Sequence, residues 1–336
     1  RYQYLEKTLK AVVKYHPGGG RDGIGGAMPV IISEDGSKKE IAQVIGNFRE
    51  EMGDKAVVIH SQHSNTPPLS QENGYIKLAA HFKAALDMVF NGHQTDKFNP
   101  HMVDKVIILE EDLLIAPDFF EYFSAMAPLL DRDDTLMAIS AWNDNGMEAN
   151  VREPDAVYRS DFFPGLGWMV QRRIWEELSP KWPRGYWDDW LREPEQRKGR
   201  QFIRPEISRT FHFGVKGTSH NQYSTYLVQT KLNDQQVNFR SMDLSFLEHE
   251  KYEEAFLNRV RSAELVSAAE AINMGSAITH EVRVAYGNTH DFEKQAKKMG
   301  IMGNIKAGVP RTAYQGVVTF WLGGIRVYLV PKSLGM

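Results

Sequence analysis

Lys105-Val-Ile-Ile-Leu-Glu-Glu-Asp112 joins a short run of branched apolar residues directly to three acids. The run reads as a buried strand, because Val and Ile suit a pleated surface and no polar residue interrupts positions 106 to 109. In an open α/β sheet, ligands gather outside the carboxyl ends of the strands. Glu110, Glu111 and Asp112 therefore stand where a site is expected. If the extended backbone continues briefly, Glu110 and Asp112 point to one side and Glu111 to the other. Hard oxygen donors of this kind suit Mn²⁺ or Mg²⁺ beside a diphosphate. A solvated acidic loop is the alternative reading, and a carboxylate pair flanking a glycosidic bond is a third.

Working towards the N-terminus, Gly74 to Phe90 reads as a long amphipathic helix, Ala56 to His60 as a short strand, and Lys39 to Phe48 as a helix. Pro29-Val-Ile-Ile32 is a further buried strand, closed by Ser33-Glu-Asp-Gly36. Leu5, Leu9, Val12 and Val13 recur at helical spacing until His16-Pro17 and the glycine-rich stretch at 18 to 26. Alternating buried strands and helices specify an α/β fold with a mostly parallel, doubly wound sheet. Such a sheet normally begins with a strand, so the order predicts one upstream of Arg1. Towards the C-terminus, Phe119 to Pro183 is rich in aromatics, and beyond about residue 240 come charged helical segments. Glu281 to Tyr286, Val317 to Leu322 and Ile325 to Val330 read as strands, the last two a hairpin turned at Gly323-Gly324.

The 336 residues are 42% apolar and 25% charged, the mixture of a globular protein rather than a disordered one. Single cores stop growing at roughly 250–300 residues, which predicts a large domain with a smaller companion. Forty basic and 43 acidic residues give a net charge of -3 without a basic block, so composition offers nothing to a nucleic acid or an anionic membrane. Cysteine is absent, which excludes disulfide scaffolds, thiolate metal sites and cysteine nucleophiles. No apolar run approaches the ~18 residues of a membrane helix. The glycines at 18 to 26 follow a helix, so they do not form the strand-linked Gly-x-Gly-x-x-Gly of a dinucleotide binder.

Trp187-Asp188-Asp189-Trp190 places two acids between indoles, which keep water from a carboxylate and so can make a general base; a helix N-terminus capped by either aspartate is the competing reading. Gly217-Thr-Ser-His220 offers backbone N–H groups and hydroxyls to a phosphate, or is a plain turn. His81, on the helix 74 to 90, is either a satisfied interhelical histidine or a ligand-binding one.

Taken together, Ile108-Leu-Glu-Glu-Asp-Leu-Leu-Ile-Ala-Pro-Asp-Phe-Phe-Glu-Tyr-Phe123, Ser140-Ala-Trp-Asn-Asp-Asn-Gly146, Tyr158-Arg-Ser-Asp-Phe-Phe-Pro-Gly-Leu-Gly-Trp168, Pro180-Lys-Trp-Pro183, Tyr186-Trp-Asp-Asp-Trp-Leu-Arg192, Ile203-Arg-Pro-Glu-Ile-Ser-Arg-Thr210 and Gly308-Val-Pro-Arg-Thr-Ala-Tyr314 resemble the N-acetylglucosaminyltransferase I family over nearly the whole chain. The resemblance implies a GT-A, Rossmann-like fold: a nucleotide-sugar-binding catalytic domain over residues 1–216, a loop and linker over 217–250, and a smaller α+β domain over 251–336. It implies metal-dependent, inverting transfer of N-acetylglucosamine from UDP-GlcNAc to the α-1,3 arm of the five-mannose N-glycan core on glycoproteins, which initiates hybrid and complex N-glycans.

By match of motif, Asp112 would coordinate Mn²⁺, Glu111 would face the ribose and Glu110 the donor sugar. Leu166 and Trp187 would line that sugar, with Asp188 as the catalytic base. Asp35 and His81 would meet the uridine, Arg1 the nucleotide, and Ser219, with Thr218 before it, the phosphates. The family's location implies a type II Golgi membrane protein with a lumenal catalytic portion, attached through an anchor outside this chain. Glu111 replaces the family's usual aspartate, which bears on donor affinity rather than on reaction type. The Glu-Glu-Asp triplet is shared with the protein O-mannose β-1,2-N-acetylglucosaminyltransferases, the nearest alternative, but Asp161-Phe-Phe-Pro, Trp187-Asp-Asp-Trp190 and the run at 308 to 314 favour the N-glycan enzyme. A non-catalytic donor- or glycan-binding protein is the alternative from another class.

Overall fold

Leu9 and Val12 turn inward from α1 (Tyr2–Tyr15) and share a core with Val44, Ile45 and Phe48 of α2 (Lys39–Met52). The computed structural model to which these elements belong describes residues 1–18, 28–63, 73–95, 98–215, 224–274 and 281–335. Between the two helices, β1 (Val30–Asp35) pairs in parallel with β2 (Val58–His63), Val30 opposite Val58 through to Asp35 opposite His63. β1 thus runs through Ser33-Glu34-Asp35, where the sequence predicts its closing turn. The reason is that Glu34 is buried and satisfied, accepting from His60 Nε2 at 2.9 Å, Gln62 Nε2 at 3.2 Å and the backbone N–H of Lys38 at 3.2 Å. α3 (Gly74–Asn91) starts on Asn73, whose side chain accepts from the Ile76 N–H at 3.1 Å.

The segment that decides the fold becomes β3 (Lys105–Ile108) and, past the acids, β4 (Leu113–Ile115). After α4 (Phe119–Arg132) come β5 (Leu136–Ser140), β6 (Val157–Ser160), β7 (Trp168–Gln171), α5 (Arg172–Leu178), α6 (Trp187–Arg192), α7 (Pro194–Arg197), β8 (Gln201–Pro205) and β9 (Thr210–His212). Five of these strands form a central sheet in the order β3-β7-β5-β8-β6, and β4 pairs antiparallel with β9. The expectation of a mostly parallel sheet is corrected here: of the four pairings only β5 with β8 is parallel. A parallel return needs a crossover of a dozen or more residues, usually a helix. The loop from 141 to 156 contains one 3-10 turn, Glu148–Asn150, and no α-helix, so the chain comes back along β6 in the opposite direction. A run of apolar residues reports that a strand is buried and carries no information on its direction.

The remaining elements are α8 (Ser224–Leu227), α9 (His249–Ser262), β10 (Glu264–Leu265), α10 (Ala268–Asn273), β11 (Glu281–Tyr286), α11 (Thr289–Lys298), β12 (Ile305–Lys306), β13 (Val309–Pro310), β14 (Val318–Leu322) and β15 (Ile325–Pro331). β10, β11, β15 and β14 make a second sheet in that order. Leu322 faces Ile325 across the hairpin, whose Gly323 takes φ +62°. β12 and β13 form a separate antiparallel ribbon.

Three apolar cores hold these layers. One joins α1, α2 and α4 to α9, Tyr314 and Tyr328; one collects Phe82, Phe163, Trp168, Trp175 and Trp187; the third lies within the C-terminal sheet. The C-terminal sheet is tied to the central one through Glu206, 2% exposed, which accepts from Tyr158 Oη at 2.8 Å, Trp321 Nε1 at 3.0 Å and Arg326 Nη1 at 2.5 Å, and from the backbone N–H groups of Arg152 and Glu153. Among the described residues no helix is long and apolar enough to cross a membrane.

Candidate active site

β3, β5 and β8 run one way and β7 the other, so the carboxyl ends of the first three and the amino end of β7 share an edge of the sheet. Trp168 marks it, standing in register with both Ile108 and Ser140. The acids leave β3 at this edge. Burial pushes the Glu110 carboxyl up to about 8, with the charges of Asp112, Glu111 and Asp188 adding to the effect and Arg1 opposing it. Glu111 is fixed from α1: its carbonyl accepts from Thr8 Oγ1 at 2.7 Å, and its carboxylate pairs with the Arg1 guanidinium. Burial works against the charge on Arg1, but the bond to Glu111 and the fields of Glu111 and Asp112 outweigh it and hold the guanidinium above its ordinary value.

Asp112 is buried, with Oδ2 3.5 Å from Arg1 Nη1 and 3.4 Å from His212 Nε2. Its carbonyl accepts from the Phe213 N–H at 3.0 Å. The chain then passes so close that a Cβ on Gly214 would lie 2.3 Å from Asp112 Oδ2 and 3.0 Å from its Cγ, so a side chain there would displace the carboxylate. Among the described residues no three His, Asp, Glu or Cys side chains converge into a cage. A single carboxylate in this cradle fits a hard cation that takes most of its oxygens from a diphosphate and water.

Opposite the acids, Trp187 opens α6 and is 5% exposed. Its indole stacks near-parallel on those of Trp168 and Trp182, each at 5.8 Å, and lies 4.3 Å from the Phe82 ring. Asp188 and Asp189 therefore do sit on a helix, in its first turn, and neither caps it. The capping position is Tyr186, in the left-handed region at φ +51°. Arg192 Nη1 donates to Asp188 Oδ2 at 2.9 Å and to Asp189 Oδ1 at 2.8 Å. Lys306 Nζ reaches Asp189 Oδ2 at 3.0 Å. Burial works against ionisation of Asp189, and Lys306 and Arg192 overcome it, holding that carboxyl below its usual range. Asp188 contributes to the field that raises Glu110, after burial and the charges of Asp112 and Glu111.

Leu166 enters that edge through strained backbone. Gly165, Leu166 and Gly167 take φ +70°, +49° and +93° in succession, a conformation a leucine seldom adopts. The Leu166 carbonyl accepts from Thr210 Oγ1 at 2.6 Å, which fixes the turn.

At the carboxyl ends of β1 and β2, His81 of α3 lies 2.8 Å from Ser33 Oγ through Nε2, and its ring is 5.9 Å from that of His63. Burial lowers the His81 pKa, with Asp35 opposing and His63 assisting, so Asp35, His63 and His81 form one cluster. The field of Glu111 also reaches His81, which connects this cluster to the acidic triplet.

By direct contact the structure joins Arg1 to Glu111 and Asp112, and His81 to Ser33 and His63, with Trp187 stacked on Trp168 at the edge where the acids leave β3 and Leu166 two residues before Trp168; Asp35, Glu110 and Asp188 are tied to them through their fields. Thr218 and Ser219 lie outside the described residues. The sequence reading missed His212, Ser33, Arg192 and Lys306. Arg192 could have been found, since it stands four residues after Asp188, the spacing at which helical side chains meet. Lys306 lies 117 residues from its partner, and no local signal points to it.

Comparison with known proteins adds two findings. The sequence pattern of the GNT-I family matches residues 1–335. An α-1,3-mannosyl-glycoprotein 2-β-N-acetylglucosaminyltransferase of Arabidopsis thaliana is 44% identical over 342 aligned residues, covering 99% of this chain and 72% of that protein.

Proposed function

We propose that this chain, which belongs to the GNT-I family, transfers N-acetylglucosamine from UDP-GlcNAc to the 2-hydroxyl of the mannose on the α-1,3 arm of the five-mannose N-glycan core, with inversion, through a GT-A catalytic unit. The observation that carries the reading is the acidic triplet leaving β3 at the carboxyl edge of the sheet, with Asp112 buried among Arg1, His212 and Gly214. Similarity to the Arabidopsis α-1,3-mannosyl-glycoprotein 2-β-N-acetylglucosaminyltransferase favours an N-glycan acceptor over an O-mannosyl one.

Asp188 is the base in this reading. It takes the proton of the acceptor 2-hydroxyl while that oxygen bonds to the anomeric carbon from the face opposite the nucleotide and the bond from that carbon to the diphosphate oxygen breaks. One such displacement inverts the centre. Trp187, Leu166 and Glu110 line the donor sugar, Glu111 and Arg1 the ribose side, and Asp35 and His81 the uridine. Thr218 and Ser219 would meet the phosphates. Asp112 would hold Mn²⁺, which when bound supplies positive charge to the departing UDP. The domain division at 216 and 250 and a Golgi, lumenal location belong to the same reading.

The test is transfer of labelled GlcNAc from UDP-GlcNAc to the five-mannose N-glycan, with and without Mn²⁺, by the chain and by its Asp188→Asn variant. Metal-dependent transfer that vanishes in the variant while donor still binds is the expected result. Transfer to an O-mannosyl peptide in place of the N-glycan would overturn the acceptor assignment. Donor binding with transfer to neither would make the chain a binding protein.

A further inference from the structure

Asp188 and Asp189 are adjacent carboxylates in the first turn of a six-residue helix, 43% and 39% exposed, held by two cations of which one reaches both and the other Asp189 alone. Arg192 is the inner one. Its side chain is 8% exposed, its Nε donates to the Phe163 carbonyl at 3.1 Å, and its guanidinium lies 4.7 Å from the centre of the Phe162 ring. With Nε fixed and the plane held against an aromatic ring, Nη1 has its two protons aimed at Asp188 Oδ2 and Asp189 Oδ1. Asp188 Oδ1 has no hydrogen bond among the described residues, so one oxygen of the carboxylate is held and the other stays available to accept a proton.

Lys306 is the outer cation. It comes from the β12–β13 ribbon, whose Arg311 pairs with the buried Asp144, bonds Asn304 Oδ1 at 2.8 Å and lies 5.1 Å from the same Phe162 ring. The ribbon is thereby anchored beside α6 and delivers Lys306 to Asp189 Oδ2. Without Lys306, Asp189 would have Arg192 as its single cation and would compete with Asp188 for it.

We infer that Arg192 is a positioning residue for the proton-accepting carboxylate of Asp188, and that Lys306, from the C-terminal ribbon, saturates Asp189 so that Arg192 stays on Asp188. The inference rests on the reading of Asp188 as base. It assigns the C-terminal part of the chain a role in the reaction itself: the ribbon sets the orientation of a group on α6.

The experiment measures kcat, the KM of donor and acceptor, calorimetric binding of UDP-GlcNAc with Mn²⁺, and thermal midpoint for Asp188→Asn, Arg192→Lys, Lys306→Met and the double variant Asp189→Asn/Lys306→Met. Arg192→Lys keeps the charge and loses the fork; a misplacement of about 1 Å costs roughly 100-fold, so kcat is expected to fall by about 10- to 100-fold with the donor KM within about twofold. Lys306→Met, at a half-buried position, is expected to lower kcat by roughly three- to tenfold, and the added Asp189→Asn to recover most of that loss because the competing charge is gone. Full kcat in Arg192→Lys, or a Lys306→Met defect that the double variant does not recover, overturns the inference. So does a loss of donor binding and thermal midpoint in step with kcat, the mark of a purely structural role. Asp188→Asn separates the two layers: if it transfers normally the base assignment falls, whereas an inactive Asp188→Asn beside a fully active Arg192→Lys refutes the positioning alone.

Discussion

Glu110→Gln is expected to stabilise the metal-free protein, by an amount that grows with pH. Burial and the neighbouring carboxylates raise the Glu110 pKa from 4.5 to about 8 in the folded chain. Below 4.5 the group is protonated in both states and contributes no difference. Between 4.5 and 8 the folded state holds a proton that the unfolded state has released, so the stability of the natural chain declines as pH rises, relative to a glutamine that does not titrate. At 1.36 kcal/mol per pH unit, the difference is about 1 kcal/mol at pH 5, ~3 kcal/mol at pH 7, and approaches ~5 kcal/mol above pH 9. An unfolding entropy of ~2 cal/mol/K per residue over this length makes ~3 kcal/mol worth about 4 °C in Tm. The assay is thermal unfolding of both proteins in chelator at pH 5, 7 and 9. A Tm difference that is absent at pH 9, or that fails to shrink towards pH 5, refutes the picture of a desolvated, mutually repelling acidic cluster.

Asp112→Asn should weaken Mn²⁺-supported UDP-GlcNAc binding more than tenfold in calorimetry while leaving the thermal midpoint of the metal-free protein nearly unchanged. Gly214→Ala should produce the same binding defect, because the new Cβ would be forced against Asp112 Oδ2; a variant with natural donor affinity would show that the close approach is unimportant. Arg326→Met strands Glu206, both side chains being 3% exposed, and should cost about 3–5 kcal/mol in denaturant unfolding. A loss below about 1 kcal/mol would mean that the other donors to Glu206 suffice.

Much of the architecture was legible because the chain writes burial into its sequence. The apolar run at 105 to 109, the period of α1 and α3, and the Gly323-Gly324 turn each identify an element from adjacent residues. What local pattern cannot express is pairing. The strand through Glu34 looked finished because its last residues are polar, and only the donors on β2 and α2 show why a buried acid is tolerated there. Strand direction escapes local pattern for a related reason, since it depends on the path of the connections into β6 and β7. At the site, Glu110, Asp112 and Asp188 stand out as acids in improbable company and His81 as a lone histidine on its helix, whereas Asp35 and Leu166 come from the resemblance alone. His212 and Lys306 reach the site from distant segments and become visible only once the chain is folded.

The indoles of Trp182, Trp187 and Trp168 are stacked in sequence, with interplanar angles of 18° and 20°. Indoles held this close exchange excitation, and Trp175 and Trp190, 5.0 and 5.6 Å from Trp182, extend the coupled group beyond the three. The protein therefore carries an optical reporter beneath the floor of its own site, in which Trp187 stands between Trp182 and Trp168. A ligand that shifts Trp187 by a fraction of an ångström alters the near-ultraviolet circular dichroism of the whole stack, and titrations can be followed without attaching a dye.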